Sequence, residues 1–235
     1  MAESKNTNPI RTLNKMGSMF FDKDPAYTAF LEHIEQTRGY FADIGSAYGY
    51  STLEALKRGG RLIAVDLEKR HLDVLLQDCP TLYKPRLETI CGHFPNNVEL
   101  PKNSLDGILL SRVLIFLTPD EIASAFTKAY DALNSGGLVY IVTSSPLLKK
   151  WSSLSPLYDK QKLEGSLWPG RIENLWELVP EEAAILPNTI QLIDTESLEK
   201  GLTQAGFKVK SCDYYPKDRP NDEEAFAWTY AIAMK

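Results

Sequence analysis

The chain reads as a doubly wound α/β domain: a mostly parallel seven-stranded sheet with an antiparallel last strand and an inserted lid. Three observations predict this. Short apolar runs alternate with segments of helical spacing, the pattern of βαβ units on a parallel sheet. One helix carries a complete set of boundary signals. A glycine turn follows the first strand of that sheet, and 21 residues after Gly45 an acid, Asp66, ends the second.

The elements follow in order. Asp24-Pro25 sets an N-cap before a proline at the first helical position, and Ala26, Phe30, Leu31 and Ile34 give the next helix an apolar side. Residues 1–35 thus form an N-terminal arm and cap helix, with Phe20, Phe21 and Tyr27 as candidates to close over a ligand. Gly39 opens a strand over Tyr40–Ile44, Gly45 to Gly49 turns, and a helix runs from Tyr50 to Arg58 until Gly59-Gly60 stops it. Arg61 to Val65 is the second strand, ending at Asp66, and Lys69 to Gln77 a helix with Leu72, Leu75 and Leu76 on one side. Leu87 to Cys91 and Leu105 to Leu110 are the third and fourth strands. Thr118 and Glu121 then form a capping box with Pro119 in the first turn. Ile122, Phe126, Ala129 and Leu133 recur at helical spacing, Gly136-Gly137 is the expected stop, and Leu138 to Thr143 is the fifth strand.

Over residues 145–194 the alternation fails. Three of the four tryptophans (Trp151, Trp168, Trp176) lie here, so the segment has apolar anchors and reads as a lid over the substrate, not a linker. The core, residues 36–144, resumes over 195–235 with a helix from Glu196 to Ala205 and a strand from Phe207 to Tyr215. A last run places Phe226, Trp228, Tyr230, Ile232 and Met234 on one face. With only a loop between them, the last two strands pair antiparallel.

Composition narrows the function. The 235 residues carry 31 acids against 26 Lys+Arg, a net charge of −5, which argues against a general nucleic-acid binder. Cys79, Cys91 and Cys212 are odd in number and far apart, suggesting neither a disulfide framework nor a metal site. Met1 to Asn8 lacks the apolar core of a signal peptide, and Leu105 to Leu117 is interrupted by Asp106, Ser111 and Arg112. The expectation is a cytoplasmic protein with no membrane partner.

The chemistry centres on Asp43-Ile44-Gly45-Ser46-Ala47-Tyr48-Gly49. A strand running into a glycine turn brings backbone close to a ligand and aims helix-terminal N–H groups at it. Asp66 ends the neighbouring strand, where a carboxylate can accept from both ribose hydroxyls, so turn, spacing and acid together point to a nucleoside-containing ligand. A nicotinamide dehydrogenase would show G-x-G-x-x-G and hold a pyrophosphate. Here the spacing is Gly45-x-x-x-Gly49, and Asp43 opposes a pyrophosphate while suiting an ammonium or sulfonium.

This constellation resembles the class I S-adenosylmethionine-dependent methyltransferases, over roughly Gly39 to Thr143 and again from about Thr195 to Lys235. The family's first motif is acid-x-Gly-x-Gly-x-Gly; Asp43, Gly45 and Gly49 match, and Ala47 replaces the central glycine. The resemblance implies that Gly45, Ser46, Ala47 and Gly49 form the cofactor loop. Asp43 then favours the methionine ammonium, Asp66 holds the ribose, and Leu67 flanks the adenine. Cys91-Gly92-His93-Phe94 falls at the family's adenine-contacting turn, where an acid often stands in place of His93. Ser104 to Arg112 matches the fourth strand, whose end, at Ser111, faces the transferred methyl. Leu133-Asn134-Ser135-Gly136-Gly137 resembles the turn before the fifth strand. The implied cofactor is S-adenosylmethionine, released as S-adenosylhomocysteine, and the implied activity is methylation of a small molecule, acidic or hydroxyl-bearing, under an aromatic lid. Amino-group methyltransferases of the family often carry Asn/Asp-Pro-Pro-aromatic where this chain has Ser111-Arg112-Val113-Leu114, which argues against that subgroup.

The candidate catalytic groups are His93, as a base, and Arg112, whose fork suits an acidic substrate group. Their bland alternatives are a loop histidine and an ion pair within the chain. His33 and His71 lie on helix patterns and read as structural or solvated. A non-catalytic S-adenosylmethionine-binding sensor or partner subunit and an NAD-dependent oxidoreductase remain as rival readings.

Overall fold

The computed structural model describes residues 9–21, 23–217 and 227–235; Phe226 of the last run lies outside them. A two-strand ribbon, β1 (Ile10–Arg11) and β2 (Ser18–Met19), precedes α1 (Pro25–Thr37), β3 (Tyr40–Ile44), α2 (Tyr50–Lys57), β4 (Arg61–Asp66) and α3 (Lys69–Asp78). Next come β5 (Leu87–Cys91), β6 (Leu105–Ser111), α4 (Pro119–Ala132) and β7 (Leu133–Ser144). The insertion contains α5 (Ser155–Leu163), β8 (Arg171–Ile172), α6 (Leu175–Leu178) and β9 (Ile190–Gln191), and α7 (Thr195–Gln204), β10 (Lys208–Tyr215) and β11 (Trp228–Met234) complete the core.

Seven strands form one sheet in the order β10-β11-β7-β6-β3-β4-β5. β3 to β7 pair parallel, and β11 runs antiparallel to both β7 and β10. The expected doubly wound sheet with an antiparallel last strand is present, and that strand lies inside the sheet. Both faces are covered. Ala42, Ile44, Ile108 and Leu110 pack toward α4 and α7, while Phe41 and Leu109 pack toward α1 and α2. Central strands buried on two sides must be continuously apolar, which is why they stand out in the sequence. On β11 the small residues Thr229, Ala231 and Ala233 form the fully buried face, and Trp228, Tyr230 and Ile232 turn half-buried toward the α1 side.

Two boundaries differ from expectation by more than one residue. The capping box of Thr118 and Glu121 forms as expected, but α4 ends at Ala132, and Leu133 is already extended (ψ 145°) and begins β7. Leu133 is buried and pairs with Leu105, so its apolar character satisfied the helical period without belonging to the helix. Gly136, at φ 81°, accordingly bends a strand instead of stopping a helix.

Residues 145–194 build a small core of their own. Trp151, Leu154, Ile172, Leu175, Ile190 and Leu192 cluster on Ile115, just beyond β6. The three tryptophans part company there. Trp151 is buried in this cluster, Trp168 packs on Phe126 of α4, and Trp176 is 47% exposed. Among the described residues no helix is long and apolar enough to cross a membrane.

Candidate functional site

Parallel strands deliver their carboxyl ends to one edge of the sheet, and ligands bind where the strand order reverses. The reversal here is between β3 and β6, since the chain winds outward through β4 and β5 and then returns to β6 and β7. A cavity of about 1000 Å³ opens at that point. Its wall includes Asp43, Gly45, Ser46, Ala47, Asp66 and Leu67. Farther along the rim stand Gly92, His93 and Phe94 after β5, and Ser111 and Arg112 at the end of β6. Gly49, the remaining residue of the expected set, does not line it; it starts α2 with φ 86°, where an added methyl would overlap the Leu75 side chain.

The loop is held by its own backbone. Gly45 N and Ser46 N both donate to Val65 O (2.8 and 3.0 Å), and Ala47 N donates to Asp66 Oδ2 at 2.8 Å. These three N–H groups therefore face the neighbouring strand and are not themselves aimed at a ligand. Gly45 sits at φ 74°, and a methyl there would overlap Val113, so the position demands glycine twice over. Ala47 also adopts a left-handed φ, 47°, which glycine would hold without steric cost.

The two acids differ. Asp43 is fully buried and accepts from Thr52 Oγ1 at 2.7 Å; burial pushes its carboxyl up to about 6. A carboxylate so poised gains by taking a cationic partner. Asp66 accepts from Glu68 N and from His71 Nδ1 on Oδ1 (2.8 and 3.0 Å) and from Ala47 N on Oδ2. With about two lone pairs per oxygen, one acceptor position remains, on Oδ2. The geometry therefore offers one place for a ribose hydroxyl, where the sequence suggested two. Ser46 Oγ, on the same wall, is buried without a partner among the described residues. A vacant acceptor, an unpartnered hydroxyl and a carboxylate awaiting a cation together fit a nucleoside with a cationic tail. Beside a dinucleotide, the buried Asp43 carboxylate would oppose the pyrophosphate.

His93 and Arg112 stand on opposite sides. Their strands, β5 and β6, are separated by β3 and β4, roughly 14 Å at the usual spacing. His93 Nδ1 meets Asn96 Nδ2 at 3.1 Å, and its backbone N–H donates to Asn97 Oδ1. Arg112 lies between the rings of Phe20 and Trp228 (4.6 and 4.2 Å to the centroids) and 3.7 Å from Asp24 Oδ2. Its carboxylate partner thus comes from within the chain. Phe20 and Tyr27 of the arm line the cavity, whereas Phe21 packs edge-on to Tyr50. Sequence reasoning gave no site role to Asp24, read as an N-cap, to His71, read as structural or solvated, or to Trp228, read as part of the last strand; all three line the cavity. Their only signal was burial of a polar or aromatic residue, which a linear reading cannot see. Among the described residues no cluster of metal-ligating side chains occurs.

Residues 41–137 match a family model described as a methyltransferase domain. No curated protein matches the chain. Solved structures do so at the level of fold. A SAM-dependent methyltransferase from Methanosarcina mazei superposes with a TM-score of 0.66 at 17% identity, covering 92% of this chain and 99% of that one. One from Mesorhizobium loti gives 0.64 at 16%, covering 89% and 98%. The Burkholderia thailandensis 1,6-didemethyltoxoflavin-N1-methyltransferase, solved with 1,6-didemethyltoxoflavin and S-adenosylhomocysteine bound, gives 0.62 at 20%, covering 90% and 76%. With the sheet order and the glycine turn in agreement, residues 41–137 are similar to a methyltransferase domain, and the chain shares the fold of the S-adenosylmethionine-dependent methyltransferases.

Proposed function

We propose that the protein transfers the methyl group of S-adenosylmethionine to a small molecule with an extended apolar face. The observation that carries this reading is the continuity of the cavity. It runs from the wall of Asp43, Ser46 and Asp66 to a second wall of Ile115, Phe116, Leu148, Trp151 and Leu186. A cavity of this size, at the upper end of ordinary ligand pockets, accommodates a nucleoside cofactor beside a second molecule. The Burkholderia neighbour, solved with a heterocycle and the product nucleoside, supports a small-molecule acceptor.

On this reading Asp66 Oδ2 takes a ribose hydroxyl, Asp43 and Ser46 face the amino-acid end, and Gly92-His93-Phe94 border the adenine. The sulfonium supplies an already activated methyl, so the chain mainly aligns the acceptor and excludes water. Trp151 is fixed by its Nε1 donating to Ser144 Oγ at 3.2 Å. In this half of the cavity the described carboxylate is Asp24, engaged by Tyr27 N (2.8 Å) and Arg112. Burial raises the Tyr27 phenol well above its ordinary range, so it keeps its own proton and is not poised as a base. The acceptors that fit are those that lose their proton unaided: carboxylates, thiols and acidic phenols.

Thermal unfolding with S-adenosylhomocysteine, S-adenosylmethionine and NADH tests the cofactor; a ligand at 100 times its Kd stabilises by about 2.7 kcal/mol. A response to NADH alone would replace this reading with the oxidoreductase. Mass-spectrometric detection of methylated product from a panel of aryl acids, phenols and thiols tests the acceptor. Cofactor binding with no turnover across it would favour the sensor reading. Asp66→Ala should weaken S-adenosylhomocysteine by about 1–3 kcal/mol, through lost charge-assisted hydrogen bonds, as read by calorimetry.

A further inference from the structure

His71 is almost wholly buried on α3, yet both ring nitrogens have partners in different parts of the molecule. Nδ1 lies 3.0 Å from Asp66 Oδ1, and Nε2 accepts from the backbone N–H of Leu13 at 3.0 Å. Because Nε2 accepts, the ring is neutral with its proton on Nδ1, which donates to the carboxylate. The ring thus joins the arm, 58 residues earlier in sequence, to the acid at the end of β4. Around it the arm makes further contacts with both walls. Tyr48 of the glycine turn lies edge-on to His71, centroids 4.9 Å apart, and its hydroxyl donates to Arg11 O at 2.8 Å. At the base of the β1–β2 turn, just before β2, Gly17 N donates to Ile185 O of the insertion at 3.1 Å. The arm therefore bridges the turn, the acid and the acceptor-side roof.

We propose that His71 is a positioning residue that ties closure of the N-terminal arm to the orientation of the Asp66 carboxylate. The proposal rests on the cofactor reading above. With Oδ1 held by His71 and Glu68 N, the free lone pair of Asp66 is confined to Oδ2. A ribose hydroxyl on Oδ2 fixes the carboxylate, the carboxylate fixes the ring, and the ring holds Leu13 N. The arm and the Ile185 contact then close over the acceptor pocket once the nucleoside is in place.

Two changes cut the connection at different points. Leu13→Pro removes the N–H donor at an exposed position and leaves His71 and Asp66 untouched. His71→Asn keeps a donor for Asp66 and gives up the acceptor for Leu13. Hydrogen exchange of the amides of residues 9–19, with and without S-adenosylhomocysteine, is read beside calorimetric affinity. In the parent protein the nucleoside should slow arm exchange, and in either variant it should not. Each variant should bind about five-fold more weakly, and the double variant no more weakly than either single, since both remove one shared connection. Nucleoside protection of the arm that persists in both variants overturns the proposal, as do losses that multiply in the double variant. Absence of nucleoside binding by the parent defeats the cofactor reading itself. The ligand-free arm tells the two failures apart, because its exchange speeds up in both variants only if His71 holds it.

Discussion

The two walls of the cavity are built on different principles. The wall proposed for the nucleoside is backbone geometry: a turn with Gly45 at φ 74° and Gly49 at φ 86°, tied to β4 through Val65 O and Asp66. The wall proposed for the acceptor is side-chain packing, assembled from the arm, the residues after β6, the insertion and the start of β11. A turn confined to glycine tolerates almost no change. A packed wall tolerates volume-conserving change and alters what it accepts.

Substitutions that act on one wall and spare the other sharpen this contrast. The largest effect is expected from Gly45→Ala, where a left-handed φ and overlap with Val113 combine. The cost should be about 2–4 kcal/mol in urea unfolding, with loss of nucleoside binding. Asp43→Asn comes next and should have opposite effects on fold and function. The Asp43 carboxyl is raised from 3.8 to about 6 in the folded protein, so the fold is penalised above pH 6 and the penalty fades as pH falls toward 4. The variant should therefore be more stable than the parent by about 1–3 kcal/mol at pH 7 and equal to it at pH 4, by thermal melts across that range. It should also bind S-adenosylhomocysteine more weakly, and the parent's affinity, unlike the variant's, should fall as pH drops through 6. Trp151→Phe tests the other wall. Losing the bond to Ser144 and part of the ring should lower stability by about 1–2 kcal/mol while nucleoside affinity stays within about two-fold. An equal loss of nucleoside affinity would break the contrast. Ala47→Gly should have the smallest effect: relief of the left-handed strain and the added freedom of the unfolded chain nearly cancel, leaving melting changes worth under about 1 kcal/mol.

The same contrast explains what could be read from the linear sequence. The core strands were legible because burial on two faces makes them unbroken apolar runs, and α4 because Thr118 and Glu121 cap it with their own side chains. Gly45 and Gly49 were legible because their backbone angles restrict the residue type. Leu133 shows the limit: it is buried whether assigned to α4 or to β7, so periodicity could not place it. Arg112 shows another. Its partners Phe20, Asp24 and Trp228 come from opposite ends of the chain, and only the folded sheet brings them to the end of β6. His71 read as a structural or solvated helix residue because Leu13 lies far off in sequence.

The bond from Gly17 N to Ile185 O joins the arm to the insertion, so on the proposed reading the two form one unit of acceptor specificity. Arm and insertion are separate in sequence and adjacent in the roof, so a chimaera that imports a foreign insertion alone would meet the native arm along an unmatched seam. Moving the two together, with the sheet left as a constant chassis, would transplant a roof whole.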